Sequence, residues 1–259
     1  MSKILYKGAK IQYEVEGNKG KVPLVLLHGF LEDSLIWREL LKKLKEERQI
    51  IIIDLPGHGG SENISPEHSM SMMAEVVHHI LLHLNIAKVS MAGHSMGGYV
   101  SLEFLKKFPK MLQSIVLINS TPVQDSEERK DVRDRSVELV GKNKKAYISM
   151  AISNLFADAS REKYATEIDE LKIRALKMSK EGVQAALIGM KNRTNLTEEL
   201  KNFENQKVII AADEDQILDI RELERVSGSC KCDFFRLKNG HNSWLEDRKS
   251  LVKITQFIE

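Results

Sequence analysis

A serine hydroxyl is a poor nucleophile at neutral pH. It becomes useful only beside a base that is itself held by a third group. One serine of this chain has the surroundings for that task. Lys88 to Gly98 reads Lys-Val-Ser-Met-Ala-Gly-His-Ser-Met-Gly-Gly, a short apolar run followed by Gly93-His94-Ser95-Met96-Gly97. Val100, Phe104, Leu105 and Phe108 then recur on one helical face until Pro109, which lacks an N–H and disfavours a helical residue before it. Ser95 is therefore expected at a sharp strand-to-helix turn, strained in its backbone and with its hydroxyl exposed. Gly93 and Gly97 leave room for the crossing of strand and helix. The Met96 N–H is expected to be free at the helix start, where the dipole favours negative charge.

The pattern alone decides little. With glycine at about 7% of residues and serine similar, Gly-x-Ser-x-Gly arises by chance in roughly one chain of this length in ten. A Walker-type phosphate loop would need Gly-Lys-Ser/Thr after its first glycine and four further residues, and that is absent. A base and its acid must come from elsewhere, and the ends of later strands are the places to look. Asp213 and Asp215 follow the apolar run Val208 to Ala212, and either spacing reaches beyond a strand end. His241 follows Asp233 to Leu237, inside Lys238-Asn239-Gly240-His241-Asn242-Ser243-Trp244.

The elements that must position these groups show in the hydrophobic pattern. Lys3 to Tyr6 and Lys10 to Glu16 alternate around Gly8 as a two-stranded antiparallel start. Pro23 to Leu27 and Ile50 to Ile53 are continuous apolar runs, as in strands buried on both faces. Ser114 to Ile118 reads as another strand. Trp37, Leu40, Leu41 and Leu44 follow a helical rule, with Asp33 or Ser34 available as cap. Met73, Val76, Val77, Ile80, Leu81 and Leu84 form a second helical stripe.

From about Val123 to Thr197 the strand rhythm stops and helical segments rich in Lys, Arg, Glu and Met take over. Alternation resumes with Val208 to Ala212, a helix near Ile217 to Val226, the strand Asp233 to Leu237, and a last helix carrying Leu251, Ile254 and Ile258. This predicts an α/β fold, a mostly parallel sheet with helices on both faces. Residues 1–122 form the first part of its core, 123–197 an inserted helical cap, and 198–259 the second part. The insertion belongs over the C-terminal sheet edge, where open α/β sheets bind ligands.

Composition narrows the function classes. The 259 residues carry a net charge of +2 with 29% charged residues, so no strong field recruits nucleic acid or an anionic membrane. No apolar run is long enough to span a bilayer, and the N-terminus lacks a signal pattern; a cytoplasmic protein is expected. Cys230 and Cys232 are read as free thiols on a strand, too close together for an unstrained disulfide. In the 123–197 segment, Arg129 stands beside Glu128, Arg133 and Arg135 flank Asp134, and Arg161 precedes Glu162. This interleaving predicts surface pairing. Met150, Met178 and Met190 are expected as adaptable core.

His28-Gly29-Phe30, Asp54-x-Pro-Gly-His-Gly-x-Ser61, Gly93-His-Ser-Met-Gly-Gly98, Asp215 and Gly240-His241 follow in order over nearly the whole chain. In these motifs the chain resembles the α/β-hydrolase superfamily, in its capped branch of esterases, lactonases and C–C hydrolases. The resemblance implies Ser95 as nucleophile, His241 as base and Asp215, three residues after Ala212, as acid. It implies the N–H groups of Phe30 and Met96 as oxyanion hole. Ala212 replaces the family's usual glycine, and Asn239 stands where a small residue is frequent. Asn119 excludes an acid at the end of its own strand. A serine nucleophile argues against haloalkane dehalogenase and epoxide hydrolase chemistry. His28 is expected to order the oxyanion loop, and His58 and His94 to buttress loops. His79 and His83 have the i, i+4 spacing of a zinc pair but lack the metalloprotease glutamate between them, so no metal is expected.

The expectation is a serine hydrolase cleaving an ester, lactone or related acyl bond of a small, largely apolar substrate, with no cofactor. Leu31 and Tyr99, beside Phe30 and Met96, would line an apolar acyl pocket. The chain would act as a monomer or homodimer. Two alternatives use the same fold. One is a triad-dependent lyase of the menaquinone-pathway synthase type, which would need cap arginines turned inward to meet a multiply charged substrate. The other is a non-catalytic ligand-binding member.

Overall fold

Strands made of unbroken Val, Ile, Leu and Ala runs need cover on both faces, and the fold supplies it. The computed structural model describes residues 1–256. Eight strands form one sheet: β1 (Ser2–Tyr6), β2 (Ala9–Glu16), β3 (Lys21–Leu27), β4 (Arg48–Ile53), β5 (Val89–His94), β6 (Leu112–Ile118), β7 (Gln206–Ala212) and β8 (Asp233–Leu237). Their order is β1-β2-β4-β3-β5-β6-β7-β8. β1 and β2 pair antiparallel at one edge, and β3 to β8 run parallel.

Helices alternate with the strands: α1 (Arg38–Leu44), α2 (Met70–His83) and α3 (Met96–Lys107) in the first part, α9 (Ile220–Cys230), α10 (Ser243–Glu246) and α11 (Arg248–Gln256) in the last. α1 packs with α11, while α2, α3 and α9 join a second group through α8 (Thr197–Asn202), which gives the sheet its two layers of cover. Asp33, not Ser34, caps the turn that leads into α1, its carboxylate accepting from the Leu35 N–H. Strand order reverses between β3 and β5, so the crevice beyond their C-terminal ends is where a ligand site is expected in such a sheet.

Between β6 and β7 lies an all-helical insert: α4 (Glu127–Ser153), α5 (Asp158–Lys163), α6 (Ala165–Ala175) and α7 (Lys180–Lys191), followed by α8. α4 breaks at Asn143, whose φ of −153° and ψ of 80° leave the helical region, and the Asn143 side chain then caps the second half by accepting from Ala146 N–H. α7 lies directly on the loop after β4. A Cβ at Gly182 would meet Gly57 Cα at 3.1 Å, and one at Gly189 would overlap the His68 carbonyl. His68 N–H donates to Ala185 O across the same contact. Among the described residues, no helix is long and apolar enough to cross a membrane.

Two expectations need correction. Cys230 and Cys232 are free but not on a strand. Cys230 ends α9, and Cys232 follows Lys231, which is left-handed (φ 55°) and turns the chain into β8. The helix expected from Ile217 starts only at Ile220, capped by Asp219, because Ile217 and Leu218 donate their N–H groups to Asp215. Ile258, expected in the last helix, lies outside the described residues.

Two buried histidines make the fold acid-sensitive. Burial, with His28 alongside, pushes the His58 pKa down to about 3. Burial likewise lowers His68 to about 4. Both are neutral in the folded state, so the unfolded chain binds protons that the native chain refuses below the ordinary value of 6.5. Stability present above pH 6.5 should fall by about 1.4 kcal/mol per pH unit for each group down toward those depressed values. Urea unfolding at pH 7, 6 and 5 reads this slope. His68→Gln, which keeps an acceptor for Ile64 N–H, should flatten it; an unchanged slope would remove His68 from the explanation.

Candidate active site

Ser95 sits between β5 and α3 with φ 49° and ψ −114°, a conformation that L-residues avoid. The crossing is too tight for side chains. A Cβ on Gly93 would overlap the Gly97 carbonyl group, and one on Gly97 would overlap Leu27 O. The turn is pinned from both sides: Ser95 N–H donates to Ile118 O at 2.9 Å, and Ser120 Oγ donates to Ser95 O at 2.8 Å.

Three expected residues from distant strand ends meet in one row. His241 Nε2 lies 2.9 Å from Ser95 Oγ, and His241 Nδ1 lies 2.8 Å from Asp215 Oδ2. An ionised Asp215 can only accept, so the imidazole carries its proton on Nδ1 and leaves Nε2 to accept from the serine. Burial by itself would raise the Asp215 pKa. The charge and hydrogen bond of His241, the Ile217 N–H and the Asn119 amide outweigh it and hold the carboxyl below the usual carboxylate range. Asp213 points elsewhere, to Arg236 at 2.7 Å on the surface.

The other expected groups gather around this row. The N–H groups of Phe30 and Met96 have no protein acceptor among the described residues. Leu31, with φ 62°, and Tyr99 both line a cavity of about 500 Å³ onto which Ser95 and His241 open, a size suited to a small molecule. Met150 and Met190 also line it, and only Met178 of the three methionines is simply core. His79 and His83 do not form a pair: His79 Nε2 meets Leu5 O, and His83 packs edge-on to Tyr13.

The arginines contradict the expected surface pairing. Arg129, Arg133 and Arg193 turn inward on Asp125, whose side chain is fully buried, at 3.4, 2.8 and 2.8 Å. Arg129 and Arg133 also border the cavity. Nearest neighbours in sequence misled here because Asp125 precedes α4, and Arg129 and Arg133, four and eight residues on, reach back to it over the helix start, while Arg193 comes from beyond α7. Arg174 pairs with Asp33 of the core at 2.8 Å. Arg161 does pair at the surface, with Asp158.

A family model for the alpha/beta hydrolase fold matches residues 22–247. The chain belongs to that family. It is similar to the dihydrolipoyllysine-residue acetyltransferase component of an acetoin cleaving system from Pseudomonas putida, 43% identical over 40% of this chain and 28% of that protein. The chain spans less than half the length of the first curated relatives it matches. In structure it is similar to a thermophilic esterase from Thermogutta terrifontis, at a TM-score of 0.92 and 25% identity, covering 99% of this chain and 97% of that one. It shares the fold of the enol-lactonase from Burkholderia xenovorans, at a TM-score of 0.90 and 17% identity, over 98% of each chain.

Several groups that hold this α/β hydrolase site together were not singled out from sequence. Asn119 was noted only for what it is not. Its side chain donates to Asp215 Oδ2 at 3.1 Å and accepts from Ser243 Oγ. Glu246 accepts from the N–H groups on either side of His241, those of Gly240 and Asn242. Glu32 accepts from Gly29 N–H at 2.5 Å and from Trp244 Nε1 at 2.9 Å, and lies 2.9 Å from His94 Nδ1. His94 Nε2 faces the His241 carbonyl at 2.9 Å. The signal for Glu32 was a charged residue directly after an apolar glycine loop. His28 orders that loop as expected, with Nδ1 donating to Gly29 O and Nε2 accepting from Leu55 N–H.

Both neighbours of the His94 ring are acceptors, so both ring nitrogens carry protons and the ring is an imidazolium. Burial would lower its pKa, but the charge and hydrogen bond of Glu32 raise it above the ordinary value. Burial would raise Glu32, and His94 lowers it. The result is a fully buried ion pair behind the Ser95 row. Glu32→Gln removes one partner and should cost on the order of 3 kcal/mol of stability. Urea unfolding at pH 7 measures it, and a loss below about 0.5 kcal/mol, typical of a surface change, would contradict the ion pair.

Proposed function

We propose that this α/β hydrolase is a serine hydrolase that cleaves an ester or lactone through an acyl-enzyme on Ser95. The observation that carries the reading is the continuous row Ser95 Oγ, His241 Nε2 and Nδ1, Asp215 Oδ2, with links of 2.9 and 2.8 Å, opening on a cavity of about 500 Å³. The likeness to an esterase over nearly the whole chain supports it.

Ser95 Oγ attacks the substrate carbonyl while its proton passes to His241 Nε2. The carbonyl π pair moves to oxygen, and the N–H groups of Phe30 and Met96 receive that oxyanion. As the tetrahedral species collapses, the C–O bond to the leaving alcohol breaks and His241 returns the proton to it. Water then repeats the sequence, giving its proton to His241, releasing the acid and restoring Ser95. Asp215 keeps the imidazole in one tautomer and stabilises its transient positive charge. Leu31 and Tyr99 give the acyl part an apolar wall.

The inward arginines favour one second reading, a lyase that uses the same Ser95 and His241 for proton abstraction. Such an enzyme forms no acyl-enzyme, so rapid-quench mass spectrometry with a slow ester separates the two.

Ser95→Ala should lower turnover of a p-nitrophenyl ester by about 10⁴-fold or more with folding intact. A tenth of wild-type activity in that variant would reject the covalent route. Asp215→Asn should lose most activity and Asp213→Asn little, since Asp213 is engaged with Arg236 at the surface. Parallel kcat/KM measurements decide the ranking.

A further inference from the structure

The cavity wall contributed by α4 brings two guanidinium groups, those of Arg129 and Arg133, against one buried carboxylate that they share with a third. Arg129, Arg133 and Arg193 share the single buried carboxylate of Asp125. Arg193 is turned to structure: it donates to Met190 O and Val123 O, its guanidinium lies over the Tyr99 ring at 4.1 Å, and only its buried Nε lacks a partner among the described residues. Arg129 spends Nη1 on Ile217 O. Arg133 spends only Nε, on Asp125 Oδ2 at 2.8 Å, and its two terminal nitrogens make no hydrogen bond among the described residues. Its side chain is only 14% exposed and borders the cavity.

Asp125 engages only the Nε of Arg133, so the terminal fork stays available to a second anion. The remaining acids on the cavity do not serve. Glu32 is committed to His94. Glu128 is exposed and makes no ion pair among the described residues, so water screens its charge. Ser126, Ser136 and Tyr147 add hydroxyl groups to the cavity wall, whereas Leu31, Met190 and Leu155 leave other parts of it apolar. The arrangement suits a ligand with an apolar middle and an anionic end. The planar fork of arginine matches a carboxylate in particular.

We propose that the substrate is an ester or lactone bearing a free carboxylate, and that Arg133, held by Asp125 and assisted by Arg129, binds that carboxylate and sets specificity. This rests on the acyl-transfer reading above and adds the substrate class. It replaces the expectation of a largely apolar substrate.

The test compares monomethyl esters of the dicarboxylic acids from succinate to suberate with the corresponding dimethyl esters, in wild type, Arg133→Met and Arg133→Lys. At one or more chain lengths the monoanionic ester should exceed its neutral counterpart in kcat/KM by tenfold or more. That ratio should collapse at least tenfold in Arg133→Met and partly survive in Arg133→Lys. A neutral preference at every length, or an anionic preference untouched by Arg133→Met, overturns the proposal. Circular dichroism verifies folding of each variant. Phosphonate labelling of Ser95 is followed in parallel, so that failure of the acyl-transfer reading is recognised separately. Should no ester turn over, calorimetric titration of the same free diacids reads the anion site alone: binding weakened tenfold by Arg133→Met supports it, and no binding overturns it.

Discussion

Glu32 makes three hydrogen bonds inside the protein, and each goes to a different part of the site: Gly29 after β3, His94 at the end of β5, and Trp244 after the loop that carries His241. An ionised carboxylate without water costs several kcal/mol unless its oxygens are fully engaged beside an opposite charge. Here His94 supplies the charge, and the other two donors complete the shell. His94 extends the tie to the His241 carbonyl. Displacing any of these loops would uncover a buried charge. The geometry behind Ser95 is therefore fixed by an electrostatic penalty, not by packing alone.

Backbone strain recurs at the same place. Leu31, Ser95 and Asn119 are non-glycine residues with positive φ, at 62°, 49° and 45°, and they follow β3, β5 and β6. Each such conformation costs of order 1–3 kcal/mol and persists only where surroundings over-determine it. Ser95 is held by Ile118 O and Ser120, and Asn119 by Ile210 O, Ser243 and Asp215. Leu31 and Ser95 line the cavity, and Asn119 holds the Asp215 carboxylate behind it. A relaxed turn at Ser95 would carry Oγ away from the 2.9 Å link to His241.

Much of this was legible because it follows from local rules. The buried strands announced themselves by unbroken apolar runs, and Ser95 by glycines that no other residue could replace at the β5–α3 crossing. Asp215 and His241 were readable as residues just past strand ends, in an order that matched a family. What escaped was long-range pairing. Glu32 and Trp244 are 212 residues apart, and no spacing rule joins them. The arginines escaped for a different reason: Glu128 and Asp134 are nearer in sequence than Asp125, yet Arg129 and Arg133 reach back over the start of α4 to Asp125, which precedes the helix, and Arg193 arrives from beyond α7. Neighbours in a list are not neighbours on a helix.

The two parts of the site come from different parts of the chain, and that has a physical consequence. Ser95, His241 and Asp215 hang from strand ends locked by the Glu32 shell. The guanidinium wall hangs from α4, part of an insert tied to the core by contacts of its own. Among these are the Arg174–Asp33 pair, the His68 N–H to Ala185 O bond and the close crossing of Gly182 over Gly57. Among the described residues, no hydrogen bond or ion pair joins Asp125 and its arginines to Glu32, His94, Ser95 or His241. Arg129 meets the row only through the backbone of Ile217, whose N–H caps Asp215 and whose carbonyl accepts from Arg129. Energetic effects of sites without shared partners add nearly independently. Charge on the α4 wall can therefore change with little effect on the hydrogen bonds of the row, except through Ile217. That one residue is where binding of an anion at the wall and the set of the Asp215 carboxylate would be coupled.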